Sequence, residues 1–284
     1  MMVLVYQAYG REDIIRQSLF SVASLLSVVK NESPLKIWVY TDKPKLVDDF
    51  FKNTNADRVQ THSITNEQIQ NWRGPNSFVH RVKIKILQDA AQKFQGSLFY
   101  VDGDTYFLSD PTELFLNVND QTSLMHVSEN RIIDGKDPLS RKIARFLKRK
   151  HFQSRGQKIK IPLDLMIWNA GAIGVSENNK KLLDEILDLT DQTYSQYQKH
   201  VMEQLAFSYF LQKDTKVISA DHVICHFWHQ KEDYQLQIDQ YLLTNKTIAE
   251  AVSNYPRFIH PVKKAPVVRR TAMQRFLRSL GLMQ

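Results

Sequence analysis

Short apolar runs alternate along the chain with longer stretches in which apolar residues recur at helical spacing. The runs at residues 3–6, 36–40 and 98–101 consist of strand-forming residues. Between them, residues 13–29 and 78–94 carry apolar side chains every three or four positions, as one face of a helix does. Strands that alternate with helices predict an α/β fold with a mainly parallel central sheet flanked by helices.

The second half of the chain continues this pattern less regularly. Residues 163–175 predict a strand, a turn of small residues and a second strand. Further strands are predicted at 58–63, 124–127, 216–219 and 223–227, and helices at 177–197 and 201–211. Residues 130–162 show little apolar periodicity and predict a basic insert that lies as a flap over a site. We therefore expect one domain over residues 1–260 and a C-terminal segment over 261–284.

The formal net charge of +8 is concentrated in two segments. Nine Lys or Arg residues and no acidic residue lie in 141–160, and six with no acidic residue lie in 263–284. Residues 268–283 place apolar side chains on one helical face and arginines on the other, which predicts a basic amphipathic helix that contacts an anionic membrane surface. A helix packed on its own domain or on a dimer partner is the alternative, and composition leaves the oligomeric state open.

Three features favour a cytoplasmic protein. No stretch approaches the roughly 18 apolar residues of a membrane span. The first residues lack the basic and apolar regions of a secretory signal. Cys225 is the single cysteine, which excludes a disulfide framework within the chain and a cysteine-based zinc site. We expect the protein in the cytoplasm, at the inner face of the membrane if the C-terminal helix binds there.

The most specific chemical signal is the segment LFYVDGDTYFL at residues 98–108. A buried strand runs directly into two carboxylates, Asp102 and Asp104, with Gly103 between them. The glycine permits a sharp turn and a close approach of a ligand. Oxygen ligands of this kind hold hard cations such as Mg²⁺ or Mn²⁺, which usually bring substrate phosphates with them. The segment therefore predicts a metal and diphosphate site.

Two other polar residues follow predicted strand ends. Tyr9 comes just after the first strand, and Asp42 comes just after the second. In open parallel sheets, ligands bind beyond the carboxyl ends of the strands. We therefore expect Tyr9, Asp42 and Asp102 to gather along one edge of the sheet, with a helix cap or turn as the alternative role of Asp42.

Two other functions fit parts of the sequence. Residues 102–105 satisfy the Asp-x-Asp-x-Thr pattern of haloacid dehalogenase-type phosphatases, in which Asp102 would be a nucleophile and Asp104 a general acid or base. Those enzymes carry the motif near the start of the domain and add a later Gly-Asp-x-x-x-Asp, which this chain lacks. The basic segments fit a non-enzymatic module that binds anionic polymers, with nucleic acid the least favoured partner.

Seven sequence blocks occur in order within residues 2–255: QAYG, VYTD, HRVKIKIL, FYVDGDTYF, WNAGAIG, EQLAFSYFL and HFWHQK. In these blocks the chain resembles GT-A-type glycosyltransferases, closest in motif order to the glycogenin-like and related bacterial enzymes that use nucleotide-diphosphate sugars. The resemblance implies a Rossmann-like GT-A sheet and transfer of a sugar to a polysaccharide, glycolipid or other glycan, and we expect a UDP-sugar as donor. The glycine and the Lys-Pro-Trp ending that are usual in the last block are absent.

The resemblance also implies roles for individual residues. Asp102 and Asp104 would hold Mn²⁺ or Mg²⁺ with His226 as third ligand, and His229 and His222 are the alternatives. The remaining assignments are Ala8, Tyr9 and Asp42 for the nucleoside, Arg81, Lys85 and Lys231 for the diphosphate or donor sugar, Asn169, Ala170 and Gly171 for the donor sugar, and Glu203 and Asn169 as candidate catalytic residues, Glu203 also as an acceptor contact. A solvated helix face is the alternative for Arg81 and Lys85, a tight turn for residues 169–171, and a favourable helix N-terminal charge for Glu203.

Overall fold

A computed structural model describes residues 1–52 and 58–261 of the protein. The strands within these residues are β1 (Met2–Gln7), β2 (Leu35–Thr41), β3 (Val59–Ser63), β4 (Ser97–Val101), β5 (Thr105–Phe107), β6 (Thr122–Met125), β7 (Ser128–Arg131), β8 (Phe152–Ser154), β9 (Gln157–Ile159), β10 (Met166–Trp168), β11 (Ala172–Val175), β12 (Lys216–Ser219) and β13 (Ile224–His226). The helices are α1 (Glu12–Val28), α2 (Pro44–Phe50), α3 (Asn66–Arg73), α4 (Arg81–Lys93), α5 (Thr112–Leu116), α6 (Pro138–Lys148), α7 (Leu182–Gln196), α8 (Met202–Asp214), α9 (Lys231–Thr244) and α10 (Ile248–Asn254).

Seven strands form the central sheet in the order β12-β6-β11-β4-β1-β2-β3. The neighbours within β4-β1-β2-β3 are parallel, as are β12 and β6, whereas β11 runs antiparallel to both of its neighbours. The predicted α/β class with a mostly parallel, Rossmann-like sheet is confirmed. Because β4, β1 and β2 are parallel neighbours, their carboxyl ends share one edge of the sheet.

Both faces of the sheet are buried. Along β1, Val3 and Val5 belong to one hydrophobic cluster, while Leu4 and Tyr6 belong to the other. Helices α4, α7 and α8 cover the first face, and α1, α2 and α10 cover the second. This double burial explains why the strands are apolar without alternation. It also holds the strand ends, and with them Asp102, in a fixed position.

Two helices begin later than the apolar spacing predicts. Helix α7 begins at Leu182 instead of residue 177, because side chains from residues 176–179 bind Asp120 and form a turn. Helix α4 begins at Arg81, three residues after the predicted start. At α7, polar side chains that bond to a neighbouring loop compete with helix formation, and the hydrophobic periodicity does not reveal this competition.

The segment predicted as an insert, residues 130–162, packs on the domain. It contains helix α6 and the β8–β9 hairpin. The Asp137 carboxylate begins the helix by accepting from the N–H groups of Leu139 and Ser140. Four side chains anchor the segment in the cluster on the first face of the sheet: Ile132, Leu147, Phe152 and Ile161. These anchors hold α6 beside the cavity that Asp102 lines.

The predicted C-terminal helix, residues 268–283, lies outside the described residues. The last described helices, α9 and α10, pack against α1. No helix within residues 1–52 and 58–261 is long and apolar enough to cross a bilayer.

Candidate metal and substrate site

The two carboxylates of the Asp-Gly-Asp segment lie just beyond the end of β4. The Asp102 N–H donates to the Gly171 carbonyl at 2.9 Å, which ties this end of the strand to the turn before β11. The chain then enters β5, which pairs with β13 so that Thr105 lies opposite His226. This long-range pairing brings a histidine from the last third of the chain to the two aspartates.

Asp102, Asp104 and His226 form a group whose ligand atoms fit one metal ion. One ligand atom from each side chain lies within 4.8 Å of the other two. The Nε2 atom of His226 is 3.3 Å from Asp104 Oδ1 and 3.9 Å from Asp102 Oδ2. His222 and His229 are exposed and do not belong to the group. Among the three predicted histidines, the geometry therefore selects His226.

A chain of hydrogen bonds sets the tautomer of His226. Asn169 Oδ1 accepts the Gly171 N–H at 2.9 Å, and Asn169 Nδ2 donates to Glu129 at 3.2 Å. These partners fix the amide, because a flipped amide would point its NH₂ group at the Gly171 N–H. The Nδ1 atom of His226, 3.0 Å from the same Oδ1, must therefore carry a proton. Nε2 of His226 then faces the two aspartates. It donates to Asp104 when it carries a proton, and it would offer its lone pair to a metal ion that takes the place of that proton.

Replacing Asn169 by leucine should weaken Mn²⁺ binding by about 10- to 100-fold. The leucine side chain removes the acceptor of the His226 Nδ1–H, so the imidazole loses its fixed orientation and tautomer. Titration followed by electron paramagnetic resonance measures the manganese affinity. The ring nitrogen shifts in NMR report the tautomer directly, and in the wild type they should place a proton on Nδ1.

Asn178→Leu is the matched control for this substitution. Asn178 is exposed, donates to Asp120 and lies outside the cavity lining. The control should bind Mn²⁺ as the wild type does. Equal affinities in Asn169→Leu and the wild type would contradict the role assigned to Asn169.

A buried lysine balances the charge beside Asp102. Lys83 on α4 is 2% exposed, and its Nζ lies 3.2 Å from Asp102 Oδ1 and 2.8 Å from Glu203 Oε1. It also donates to the Ala170 carbonyl at 3.0 Å. Burial lowers the pKa of Lys83, but the two carboxylates outweigh burial and raise it above its ordinary value. Lys83 is therefore a fixed positive charge in the wall of the site.

The two cations that the sequence indicated on this helix lie elsewhere. The Arg81 guanidinium donates to both carboxylate oxygens of Asp191, at 2.8 and 3.0 Å, and Lys85 donates to Gln88. Neither Arg81 nor Lys85 lines the cavity. Positions two apart on a helix point about 200° away from each other, so Lys83 faces the site and its two basic neighbours do not. The sequence could have indicated the inward orientation of Lys83, because this lysine interrupts the apolar face of the helix.

Both aspartates are held in their ionised forms. Burial raises the pKa of each, but for Asp102 the Lys83 ammonium, the nearby His226 and the Tyr100 hydroxyl together outweigh burial and lower the pKa below its ordinary value. For Asp104, the hydrogen bond and charge of His226 act together with the Lys231 ammonium to lower the pKa below its ordinary value. The Tyr100 hydroxyl also donates to Asp102 at 2.7 Å. Because the ionised carboxylate is the form that binds a cation, this donor set fits Mg²⁺ or Mn²⁺.

Two further predicted residues line the same cavity. Lys231 begins α9, its side chain is 53% exposed, and its Nζ lies 2.9 Å from Asp104 Oδ2. Glu203 lies in the first turn of α8, is 3% exposed and pairs with Lys83. The exposed Lys231 side chain can turn toward a ligand, whereas Glu203 is held in place.

Close packing accounts for both glycines of the site. A Cβ on Gly103 would lie 2.5 Å from Ser18 Oγ of α1, and the φ of Gly103 is not in the left-handed region. Gly103 therefore permits close packing against α1, and it also lines the cavity. A Cβ on Gly171 would collide with the His226 ring and approach Asn169. The turn predicted to cradle a sugar therefore lies directly against the candidate metal-binding histidine.

The group opens into a cavity of about 580 Å³. The predicted site residues that line it are Asp102, Gly103, Asp104, Asn169, Ala170, Gly171, Glu203, His226 and Lys231. A wall of aliphatic side chains faces them, from Ile132, Leu139, Ile143, Ile167 and Leu205. The cavity therefore combines a charged floor with an apolar wall.

The residues assigned to a nucleoside lie beside this cavity and do not line it. The Gly10 N–H donates to Asp42 at 3.0 Å, which joins the loops after β1 and β2. Ala8 and Tyr9 are buried next to them. Burial raises the pKa of Tyr9 to about 12, and Tyr9 lies within electrostatic range of both Asp42 and Asp102. The predicted gathering of these side chains along one sheet edge is confirmed.

No protein-family model matches this chain, and no curated protein matches it. The fold and the site by themselves define a class: an α/β protein with a Rossmann-like sheet, one edge of which carries a candidate group for a divalent metal ion.

Proposed function

We propose that this protein is a metal-dependent glycosyltransferase that moves a sugar from a nucleotide-diphosphate sugar, with a UDP-sugar expected, to a polysaccharide, glycolipid or other glycan. One observation carries the proposal: Asp102, Asp104 and His226 form a divalent-metal group in the wall of a cavity large enough for a sugar. The group lies beyond the carboxyl end of a strand in an open α/β sheet, where such sheets bind ligands.

The donor set suits a hard cation that binds diphosphate oxygens. Two ionised carboxylates and an imidazole with a free Nε2 lone pair would hold Mn²⁺ or Mg²⁺. When bound, the ion neutralises the negative charge of the leaving nucleoside diphosphate. Lys231, whose exposed ammonium pairs with Asp104, can turn to a phosphate oxygen instead.

Asn169 and Glu203 receive positioning roles in this proposal. The Asn169 oxygen accepts from Gly171 and His226, and its nitrogen donates to Glu129. Because the amide oxygen is engaged by both of these donors, we assign Asn169 a role that acts through the histidine. The Glu203 carboxylate pairs with the buried Lys83 of α4, so its role is to hold Lys83 in position in the cavity lining. We assign neither residue the transfer of a proton.

The phosphatase alternative requires Asp104 to be a general acid that carries a proton near neutral pH. Burial raises the pKa of Asp104, but its hydrogen-bonding partners outweigh burial and keep the pKa below its ordinary value. Asp102 would have to act as a nucleophile while it accepts from Tyr100 and pairs with Lys83. Both observations favour metal binding over covalent catalysis by these carboxylates.

Calorimetric titration with UDP, GDP and their sugars, each with and without Mn²⁺, tests the proposal. We expect UDP to bind with Mn²⁺ and to lose most of its affinity without it, because the metal group would otherwise repel the diphosphate. The proposal would be contradicted if every nucleotide bound with the same affinity in the presence and in the absence of Mn²⁺. Release of phosphate from simple phosphomonoesters, with an aspartyl-phosphate on Asp102, would support the phosphatase instead.

A further inference from the structure

Helix α6 and the residues directly after it present a cluster of positive charge to solvent. The cluster, called here the α6 basic surface, consists of six exposed side chains: Arg141, Lys142, Arg145, Lys148, Arg149 and Lys150. Within the described part of the chain, no ion pair joins any of them to an acidic group. Unpaired charges of one sign on one element favour an anionic partner.

The helical geometry turns these charges outward together. At about 100° per residue, the four cations within the helix fall in roughly a third of its circumference. The opposite side carries Leu139, Ile143 and Leu147, of which Leu147 is fully buried and the other two are partly buried. The helix therefore rests its apolar side on the domain and leaves its basic side free.

Neighbouring side chains favour a membrane over a nucleic acid. Ile133, in the turn that packs against the helix, is 60% exposed. Exposed apolar groups close to cations suit the interface of an anionic bilayer. The aromatic residue of the helix, Phe146, stacks on Tyr197 and is partly buried, so it offers no platform for the stacking of bases.

We propose that the α6 basic surface docks the protein on an anionic membrane. The proposal goes beyond the proposed function and does not depend on it, because the surface charges and the metal group are separate parts of the structure.

Sedimentation of the full chain with vesicles tests this proposal in the absence of metal and nucleotide. The wild type should bind vesicles of phosphatidylcholine with phosphatidylglycerol, should not bind phosphatidylcholine alone, and should be released by salt. In the triple variant Arg141→Glu, Arg145→Glu and Lys148→Glu, the partition coefficient should fall by about 100-fold, because each cation near such a surface contributes about a factor of five.

The matched control is the triple variant Lys181→Glu, Lys213→Glu and Lys216→Glu, which changes the net charge equally at exposed lysines outside α6 and outside the cavity lining. It should bind the vesicles nearly as well as the wild type. Equal losses in both variants, or retained binding in the α6 variant, would overturn the proposal. The proposal would also be overturned if the wild type did not bind anionic vesicles. Tighter binding of duplex DNA than of vesicles, through α6, would overturn it as well. Circular dichroism verifies that both variants fold, and nucleotide titration of the same variants reports on the proposed function separately.

Discussion

Replacing Asp104 by asparagine is expected to remove Mn²⁺-dependent binding of the nucleotide, and with it the transfer of sugar. Asp104 would supply one of the three ligand atoms to a metal ion, and the substitution exchanges a charged oxygen for a neutral amide. We expect at least about a 100-fold loss of Mn²⁺ affinity, since changes in residues that only orient ligands already cost about 10- to 100-fold. Calorimetric titration with Mn²⁺ and UDP measures the loss. Asp104 suits this test better than Asp102, because Asp102 also balances the buried charge of Lys83.

Asp188→Asn provides the control for this experiment. Asp188 is exposed on α7, accepts a hydrogen bond from Gln192 and lies outside the cavity lining. Its replacement should leave nucleotide binding and transfer unchanged. Circular dichroism should show that Asp104→Asn retains the fold. Unchanged turnover of UDP-sugars in Asp104→Asn or Asp102→Asn would refute the proposed function.

The second large effect concerns stability. Lys83→Met should lower the free energy of unfolding by about 3–5 kcal/mol. Methionine retains an unbranched apolar side chain, but it leaves the carboxylates of Asp102 and Glu203 buried without their cation. Burial then opposes their charged forms without the compensating ammonium, which is costly in a water-poor environment. Urea denaturation near neutral pH measures the change.

A second lysine on the same helix serves as the control. Lys93 also pairs with an aspartate, Asp89 at 2.6 Å, but its side chain is 51% exposed. Exposed ion pairs contribute at most about 1 kcal/mol, so Lys93→Met should fall within that range. Adding Glu203→Gln to Lys83→Met should recover part of the lost stability, because the glutamine removes one of the unpaired charges. A loss below about 1 kcal/mol in Lys83→Met would contradict the role of this residue.

Asp104→Asn and Lys83→Met, two substitutions in the lining of the same cavity, thus distinguish ligand binding from stability of the fold. Asp104→Asn should affect metal and nucleotide binding with the fold intact, whereas Lys83→Met should affect the fold first. The two substitutions differ because the charges left unpaired differ in their exposure. The Lys231 side chain beside Asp104 is half exposed, so its ammonium can be solvated by water when Asp104 is replaced. Lys83 has no such access, because its side chain is 3% exposed.

The hydrophobic pattern by itself determined most of the architecture. Strands buried on both faces give continuous apolar runs, and amphipathic helices give apolar residues every three or four positions, so β1, β2, β4, α1 and α4 follow from local spacing. The position of Asp102 and Asp104 also followed, because an apolar run that stops at two acids ends at the edge of a sheet. The hydrophobic pattern predicted helix boundaries less well where polar side chains bind a loop, as at the start of α7.

The tertiary structure decided the composition of the site. His226 joins the aspartates, and His222 and His229 do not, because β13 pairs with β5. Lys83, and neither of its basic neighbours on α4, enters the wall because it lies on the buried face of the helix. Asn169 binds the histidine because Gly171 bonds to Asp102 at the end of β4, which brings the turn before β11 beside His226.

These contacts join residues that are far apart in the chain. Their geometry depends on how the packed core sets the height of each strand end and the rotation of each helix, and a local pattern of apolar and polar positions does not contain that information. The sequence therefore determined that two carboxylates lie at the end of a buried strand. Which histidine, lysine and amide would meet them there was decided by the tertiary packing alone.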